Sequence, residues 1–600
     1  MSRATDYYLQ NKKKNESLYE ELKRNITFIS YIRLIDFIVG LIVSVYTYYV
    51  KNYVFFSIVT IVWIGIFIYL VIQHGKAITE RKYVEALIEI NQRGIDRTAG
   101  EWKRFKDTGS EFIDQEHPYS GDLDIFGESS LFQCFSSCAT YMGRKRLAEY
   151  FLKPLKSMED IITRQSTVKE LCENTDFRQK INAEAMLIKE KSSNPEELIE
   201  WSKDKNFKEY GSVVKLITYI LPVLTIITVL LVIFTERFTY GYIILVAFID
   251  LIVLKIGEKE RVDALSTVQK YKNEIKIYEK IITHIENENF ESENIKNLKA
   301  KLIVKNEKAS DIFNKLKSLA NLVSDRYNLF YIIINILLMW DYRSYENLIA
   351  WKKRYGMHIS EWLEVIAEFE ALGSLSNISF ENAAWCYPKV GANNFRLKAD
   401  KCGHPLLGEK RVANDFIMSA PGEVVLITGS NMSGKSTFLR TLGINMLLAY
   451  CGAPVCAENF ETAIMDIYTC MRISDNLSKN ISSFYAEILR IKTIVNASKQ
   501  KRDVFFLLDE IFKGTNSIDR HQGAKYLIKQ LSANGATGLV STHDLELGEL
   551  ENEMTKLKNY HFQEHYEDDK LCFDYKLKKG ISTTRNAMHI IKLAGIEVEE

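Results

Sequence analysis

Proline is scarce in this chain, eight in 600 residues, and no stretch is rich in glycine or proline. A flexible tether between domains is therefore not expected. Low-complexity tracts and sequence repeats are also missing. An excess of charge of one sign is missing too: 78 Lys plus Arg stand against 77 Asp plus Glu. That balance excludes a global pull on nucleic acid or anionic lipid, so any such attraction has to be local. The nine cysteines are scattered, odd in number and never spaced as CxxC, which argues against a disulfide framework and against zinc. They fit buried thiols in a reducing compartment. The first 26 residues are polar and include Lys12, Lys13, Lys14, Lys23 and Arg24, with no small-residue cleavage site after the apolar stretch, so no cleavable signal is expected.

What is abundant is apolar sequence in long runs. Leu34 to Val50 and Tyr53 to Ile72 are separated only by Lys51-Asn52, and each approaches the ~20 residues that cross ~30 Å of hydrocarbon. A second pair, about 216–234 and 238–254, is split by Thr235-Glu236-Arg237. Four near-continuous runs paired by minimal polar turns are expected to be two transmembrane hairpins. The basic N-terminus and the charged segment 73–212 flank them on one side, while the outer turns hold one basic residue each. By the positive-inside bias that side is cytoplasmic. Arg33 and Asp36 lie close enough to a span end to snorkel. Asp250 falls within the fourth run; an ion path is one reading, and an interfacial or helix-packing role is the reading preferred here.

The chemistry-bearing residues lie in the last third. Glu423-Val-Val-Leu-Ile-Thr428 has the character of a buried strand, and it runs into Gly429-Ser-Asn-Met-Ser-Gly434-Lys435-Ser436-Thr437 ahead of a helix-like stretch to Tyr450. Strand, glycine loop and helix together form a phosphate-binding unit. Backbone N–H groups of Gly429, Ser430, Asn431, Met432, Ser433 and Gly434 curl around phosphates, Lys435 reaches the β/γ-phosphates, Ser436 ligates Mg²⁺, and Thr437 continues the helix N-terminus. A second buried run, Val504 to Leu508, ends in Asp509-Glu510. Carboxylates there stand at the C-terminal edge of a parallel strand, Asp509 for the Mg²⁺ shell and Glu510 for the attacking water. A third run, Gly538 to Thr542, ends at His543, which is placed to sense the γ-phosphate.

At these residues the sequence resembles the MutS family of DNA mismatch-repair ATPases. The loop Gly429 to Thr437 is similar to the family's phosphate loop, including its Asn-Met pair. Asp509-Glu-Ile-Phe-Lys-Gly-Thr-Asn-Ser517 is similar to the family's Walker B segment, with Lys513 where arginine is usual, and Ser541-Thr-His543 resembles its Thr-His switch. Ile481-Ser-Ser-Phe-Tyr-Ala-Glu487 resembles the Ser-Thr-Phe-x-x-Glu signature, which implies that Ser482 reaches across a dimer to the partner's γ-phosphate. Leu123-Asp-Ile-Phe-Gly-Glu-Ser-Ser-Leu131, Met142 to Leu147, Phe369 to Leu375 and Gly403-His-Pro-Leu-Leu407 resemble the family's helical core and its junction with the ATPase. The resemblance implies that an aromatic residue soon after His-Pro stacks on adenine. Phe416 fits that position, and Tyr575 is the second candidate. Gly580 to Gly595 resembles the family's C-terminal dimerisation segment.

The departures bear on function. Mismatch readers carry an N-terminal Phe-x-Glu wedge, whereas here the N-terminus is an apolar hairpin without that motif. The second hairpin stands about where the family extends lever helices to a DNA clamp, so an anchor in place of the clamp is expected. Lys296, Lys299, Lys301, Lys305, Lys308, Lys315 and Lys317 form a local basic run that fits either phosphate contacts or a solvated helix face.

The expected architecture is thus an N-terminal hairpin segment (1–75), a mostly α-helical core with an inserted hairpin (76–400), and an α/β P-loop NTPase domain of the ABC/MutS type (401–600), with four transmembrane helices in all. The expected function is a membrane-anchored ATPase using ATP and Mg²⁺ at composite homodimer sites, coupled to DNA binding, in contact with membrane lipid and facing the cytoplasm. The alternative is an ABC-like motor serving a membrane or protein partner without DNA.

Overall fold

The computed structural model describes residues 3–188, 194–235, 237–322, 329–391, 395–472, 483–500, 503–514, 516–567 and 570–582. The apolar runs at the N-terminus extend into two very long helices, α1 (Arg3–Tyr49) and α2 (Tyr53–Thr98), which turn back on each other at Lys51-Asn52. Lys51 takes a left-handed φ of 58° at the turn, and the Asn52 side chain caps α2 by accepting from the Phe55 amide. Each helix therefore continues well past its apolar run, so the unit is longer than the 1–75 expected. The polar halves dock on the core: Arg97 of α2 makes a bidentate pair with Glu381, at 2.7 to 2.9 Å, and the Tyr8 hydroxyl donates to the same carboxylate at 2.9 Å. Both members of that ion pair are buried, so each charge relies on the other.

The core is helical. Helices α3 (Tyr141–Leu152), α4 (Met158–Glu173) and α5 (Thr175–Ala185) pack with α8 (Lys272–Asn287), α9 (Ala309–Leu322) and α12 (Ile359–Glu381). The central α12 buries residues on nearly every side, from Trp362 to Ile378, as expected of a helix surrounded by others. Between α5 and α8 the chain runs out through α6 (Ser212–Phe234) and returns through α7 (Tyr240–Lys255). Among the described residues α1, α2 and α6 are long and apolar enough to cross a membrane. The fourth run differs: α7 has 16 residues and reaches that length only together with the next helix, Glu258–Lys270, from which it bends by 74°.

Both hairpins are built inside out. In α6 the buried residues are Thr218, Pro222 and Thr225, and in α7 Asp250 alone is buried, with the Thr225 hydroxyl donating to it at 2.9 Å. Asp250 is therefore packed between the two helices, opposite the middle of α6. In the first hairpin Gly40 admits the Trp63 ring so closely that a Cβ there would overlap it, and Ser44 meets Thr60 at 3.3 Å. Small and polar residues at the seam with apolar ones outside is the packing found where lipid replaces water. A further apolar helix, α10 (Leu329–Leu338), precedes α11 (Trp340–Tyr355) and was not anticipated from the sequence.

The C-terminal unit contains two sheets. Strands β1 (Lys389–Val390), β2 (Leu397–Cys402), β3 (Asn414–Met418) and β5 (Asn459–Thr462) form one, in the order β1-β5-β2-β3. The other has the order β10-β9-β4-β8-β7-β6, from β4 (Val424–Thr428), β6 (Asp466–Cys470), β7 (Val504–Asp509), β8 (Thr537–Ser541), β9 (Leu557–Glu567) and β10 (Lys570–Lys579). Its strands β6 to β9 and β4 are parallel, and β10 closes the edge antiparallel to β9. Since β1 and β2 already belong to this unit, it takes the chain from about 389, before the boundary expected at 401. The α/β layer is completed by α13 (Lys435–Tyr450), α14 (Ser483–Lys499) and α15 (Ser517–Ala533).

Candidate nucleotide site

Strand β4 is buried throughout and is flanked by β8 and β9, which places its C-terminal end at the centre of the sheet edge. The loop leaving it needs glycine at two points. Gly429 has φ 145°, and a Cβ there would lie 2.9 Å from both the Phe562 carbonyl and the Ser433 hydroxyl; Gly434 has φ 106° and caps α13 in the left-handed region. Within the loop, Ser430 Oγ and Ser433 Oγ are buried and have no hydrogen-bond partner among the described residues. Buried hydroxyls left unmatched beside a helix N-terminus fit an anion with several acceptor oxygens.

Lys435 is folded back on this loop. Its Nζ donates to the carbonyls of Gly429 at 2.9 Å and Ser430 at 2.8 Å, and burial pushes its pKa below the usual lysine value. The same ammonium is 3.5 Å from His543 Nε2, which in turn is 2.5 Å from Glu510 Oε1. Lys513 approaches the other Glu510 oxygen at 2.9 Å. The hydrogen bond from His543, helped by that from Lys513 and opposed only in part by burial, holds the Glu510 carboxyl down at about 2. Glu510 is thus a full carboxylate at neutral pH. Its backbone has a left-handed φ of 52°, and its amide donates to the Ser541 carbonyl at 2.9 Å, which ties the ends of β7 and β8 together. Asp509 ends β7 and is contacted by the Ser541 hydroxyl. Asp509 and Ser436, with the free hydroxyls of the loop, are oxygen donors of the kind Mg²⁺ takes.

The loop opens on a cavity of about 510 Å³ that reaches from Lys435 and Glu510 past His404 and Asn414 to Tyr575. Here the structure corrects one expectation. Phe416 is 3% exposed and sits between Phe438 and Tyr560, at ring separations of 5.4 and 6.0 Å, away from the cavity. The alternation of β3 explains it: Asn414, Phe416 and Met418 all point inward. Tyr575, 43% exposed, lines the cavity together with the rings of Phe438 and Phe562, both of which are buried. Asn414 fixes that wall, donating to the Tyr575 carbonyl at 3.0 Å and accepting from the Leu577 amide at 2.8 Å.

Two further groups were not recognised from the sequence as working parts. Glu487 of α14 accepts from the Phe512 amide, and Phe484 packs so closely on Gly514 that a Cβ there would lie 2.7 Å from it. The signature helix therefore grips the turn that carries Glu510. Asp122 accepts from the Thr469 hydroxyl at 2.7 Å and from the Arg472 amide at 2.9 Å, while Arg440 of α13 donates to the Asp122 carbonyl at 2.8 Å. The start of the helical core is thereby bonded to the helix of the phosphate loop. Ser482 and the C-terminal segment 583–600, both expected at a dimer interface, lie outside the described residues. Of the basic run, Lys315 pairs with Glu307 at 2.7 Å, Lys317 pairs with Glu279 at 2.9 Å, and Lys299 donates to the Glu288 carbonyl.

Comparison with known proteins points to one family. Residues 425–599 match the family profile of MutS domain V, and residues 115–376 match that of MutS domain III. The DNA mismatch repair protein MutS of Persephonella marina is 26% identical over 521 residues, covering 78% of this chain and 57% of that protein. The protein of the same name from Aquifex pyrophilus is 31% identical over 240 residues, covering 39% of this chain and 28% of its own. In Chlorobium phaeobacteroides the figures are 25% over 506 residues, 78% and 57%. The chain spans little more than half the length of these long matches.

Proposed function

This chain belongs to the MutS family, and on that premise we propose that it is a membrane-anchored P-loop ATPase working at composite sites of a homodimer and coupled to DNA binding. The observation that carries the reading is the convergence of Lys435, Glu510 and His543 at one sheet edge beside two unmatched serine hydroxyls. ATP phosphates fit that loop, with Lys435 leaving the Gly429 and Ser430 carbonyls for the β/γ-phosphates. Ser436 and Asp509 hold Mg²⁺, which neutralises charge on the phosphate oxygens when bound. Glu510 orients the attacking water, and His543 links its carboxylate to the phosphate side. Tyr575 offers its ring to the base. Ser482 completes the partner's site. The apolar exteriors of the two hairpins support the anchor, with the nucleotide unit on the cytoplasmic side.

Replacing Glu510 by Gln is the direct test. ATP binding is expected to survive while hydrolysis falls by about 10²-fold or more. A wild-type rate would remove Glu510 from the mechanism. A species that stays monomeric with ATP and Mg²⁺ would remove the composite site.

One observation favours a second reading, in which the motor serves a membrane or protein partner without DNA. Lys299, Lys315 and Lys317 of the basic run are already engaged by a carbonyl and two neighbouring carboxylates, which leaves less free charge for phosphates. Binding of the detergent-solubilised protein to homoduplex, mismatched and branched DNA across a salt series separates the two. Retention that weakens steeply with salt supports DNA coupling, and no retention at low salt supports the second reading.

A further inference from the structure

Helix α10 is the segment that neither the nucleotide site nor the two hairpins account for. It reads Leu-Phe-Tyr-Ile-Ile-Ile-Asn-Ile-Leu-Leu, and Ile332, Ile333 and Ile334 are 47, 46 and 42% exposed. Three consecutive helical residues point 100° apart, so exposure of all three means that most of the circumference is open. A helix apolar over most of its surface is stable only where other apolar groups cover that surface. Water on that surface is the one environment its sequence does not fit.

The position of α10 says what surrounds it. It packs against both α6 and α7, the second hairpin. Its C-terminal end is pinned where that hairpin leaves the apolar layer: Met339, in a left-handed turn at φ 50°, is buried in a cluster with Tyr342 and Tyr345, and the Tyr342 hydroxyl donates to the carbonyls of Val253 at 2.9 Å and Ile256 at 2.6 Å. The turn is closed by its own polar groups. Asn335 accepts from the Asp341 amide at 2.9 Å, and Tyr331 and Asn335 both donate to the Asp341 carboxylate. Trp340 Nε1 donates to the Leu322 carbonyl at 3.1 Å, so the chain returns beside the point where α9 ends. Ten residues make about 15 Å of helix, half of the ~30 Å hydrocarbon layer. Such an element enters a bilayer from one side and cannot cross it.

We propose that α10 is a third membrane-embedded element, a re-entrant helix that enters the cytoplasmic leaflet beside α6 and α7, with lipid acyl chains covering Ile332 to Ile334. The proposal rests on the anchoring reading above. Its consequence is mechanical: α9 and α11, both part of the helical core, flank a lipid-immersed helix, so the core is held at the bilayer by more than the two hairpin connections.

The test uses the full-length protein in lipid nanodiscs, with a single added cysteine at Ile333, at Ile244 on the outside of α7, or at the water-exposed Ile518 of α15, and the parent protein as background for the native thiols. A membrane-impermeant maleimide is expected to label Ile333→Cys and Ile244→Cys at least about tenfold more slowly than Ile518→Cys, and a fluorophore placed at Ile333→Cys is expected to be quenched by nitroxide-bearing lipid. Fast labelling at Ile333→Cys with protection at Ile244→Cys overturns the α10 proposal alone. Fast labelling at both overturns the anchoring reading. Slow labelling without lipid quenching means that protein, a second copy or a partner, covers α10, and also overturns the proposal.

Discussion

Helices α7 and α13 have the same length, 16 residues, and opposite interiors. In α13, thirteen residues from Lys435 to Tyr450 are buried, with Leu439, Leu442, Ile444, Leu447 and Leu448 fully enclosed. In α7 the one buried side chain is Asp250, and Ile244, Leu245, Phe248 and Ile252 face outward. A water-solvated fold places apolar groups inside because transfer from water drives it; where the solvent is itself apolar, that drive vanishes between helices and polar or small groups hold them together. The pair differs in the sense of its packing, α13 with its apolar side chains inside and α7 with its apolar side chains outside around one carboxylate, and the proposed membrane anchor is the reading that accounts for that inversion.

The strongest way to break the comparison is to place the same carboxylate in both helices. Leu447→Asp puts an unpaired acid in the closed core beside the phosphate loop, with an expected loss of at least about 4 kcal/mol and no cooperative nucleotide-stabilised melt. Leu251→Asp, at a position 46% exposed, touches no core. If lipid covers it, the cost is about 3 kcal/mol of membrane insertion, read as a larger alkali-extractable fraction. If water covers it, extraction is unchanged and the inversion has another cause.

Much of the architecture of the candidate nucleotide site was legible in the sequence because its parts are contiguous: a β-branched run, two glycines and a Lys-Ser pair mark the loop, and the carboxylates follow directly on a buried strand. The grip of Glu487 on the Phe512 amide was not legible, since 25 residues separate them and only the fold brings them together. The choice between Phe416 and Tyr575 turned on which face of a strand is inward, and a two-residue period leaves that sign open. The two apolar helical hairpins were evident from run length, whereas α10 is shorter than the runs that mark a candidate span. The docking of α1 and α2 through Arg97 and Glu381 pairs residues 284 apart and has no local signature.

Buried polar groups sharpen the comparison further. On the nucleotide side His404, half-enclosed near the Arg440 guanidinium, is held neutral: burial first, and that positive charge second, push its pKa down to about 4. In the unfolded chain the imidazole protonates near its ordinary value of about 6.5. A depressed folded-state pKa means that this contribution is complete above about 6.5 and disappears as pH falls through 4, a loss of up to roughly 3 kcal/mol. Thermal midpoints of the wild type and His404→Gln are expected to converge as pH is lowered from 7 to 4. Parallel curves would mean that water reaches the ring and that this region is less enclosed than α13 implies.

The smallest expected effect lies in the α6–α7 hairpin. Thr225→Val keeps the shape of the α6–α7 seam and removes the hydrogen bond that Asp250 receives from Thr225, while the other Asp250 oxygen has no partner among the described residues in either case. Interhelical hydrogen bonds in lipid contribute about 1 kcal/mol, because the separated helices find other partners. The expected result is a shift of that size in the mixed-micelle unfolding of the hairpin, with ATP hydrolysis unchanged. A shift several times larger would mean that Asp250 has nothing else to turn to, so that α7 is closed off from water and from neighbouring helices alike. A shift of zero would mean that the seam is held by the small residues and the packing of Pro222, with the carboxylate a passenger at a site that shape alone maintains.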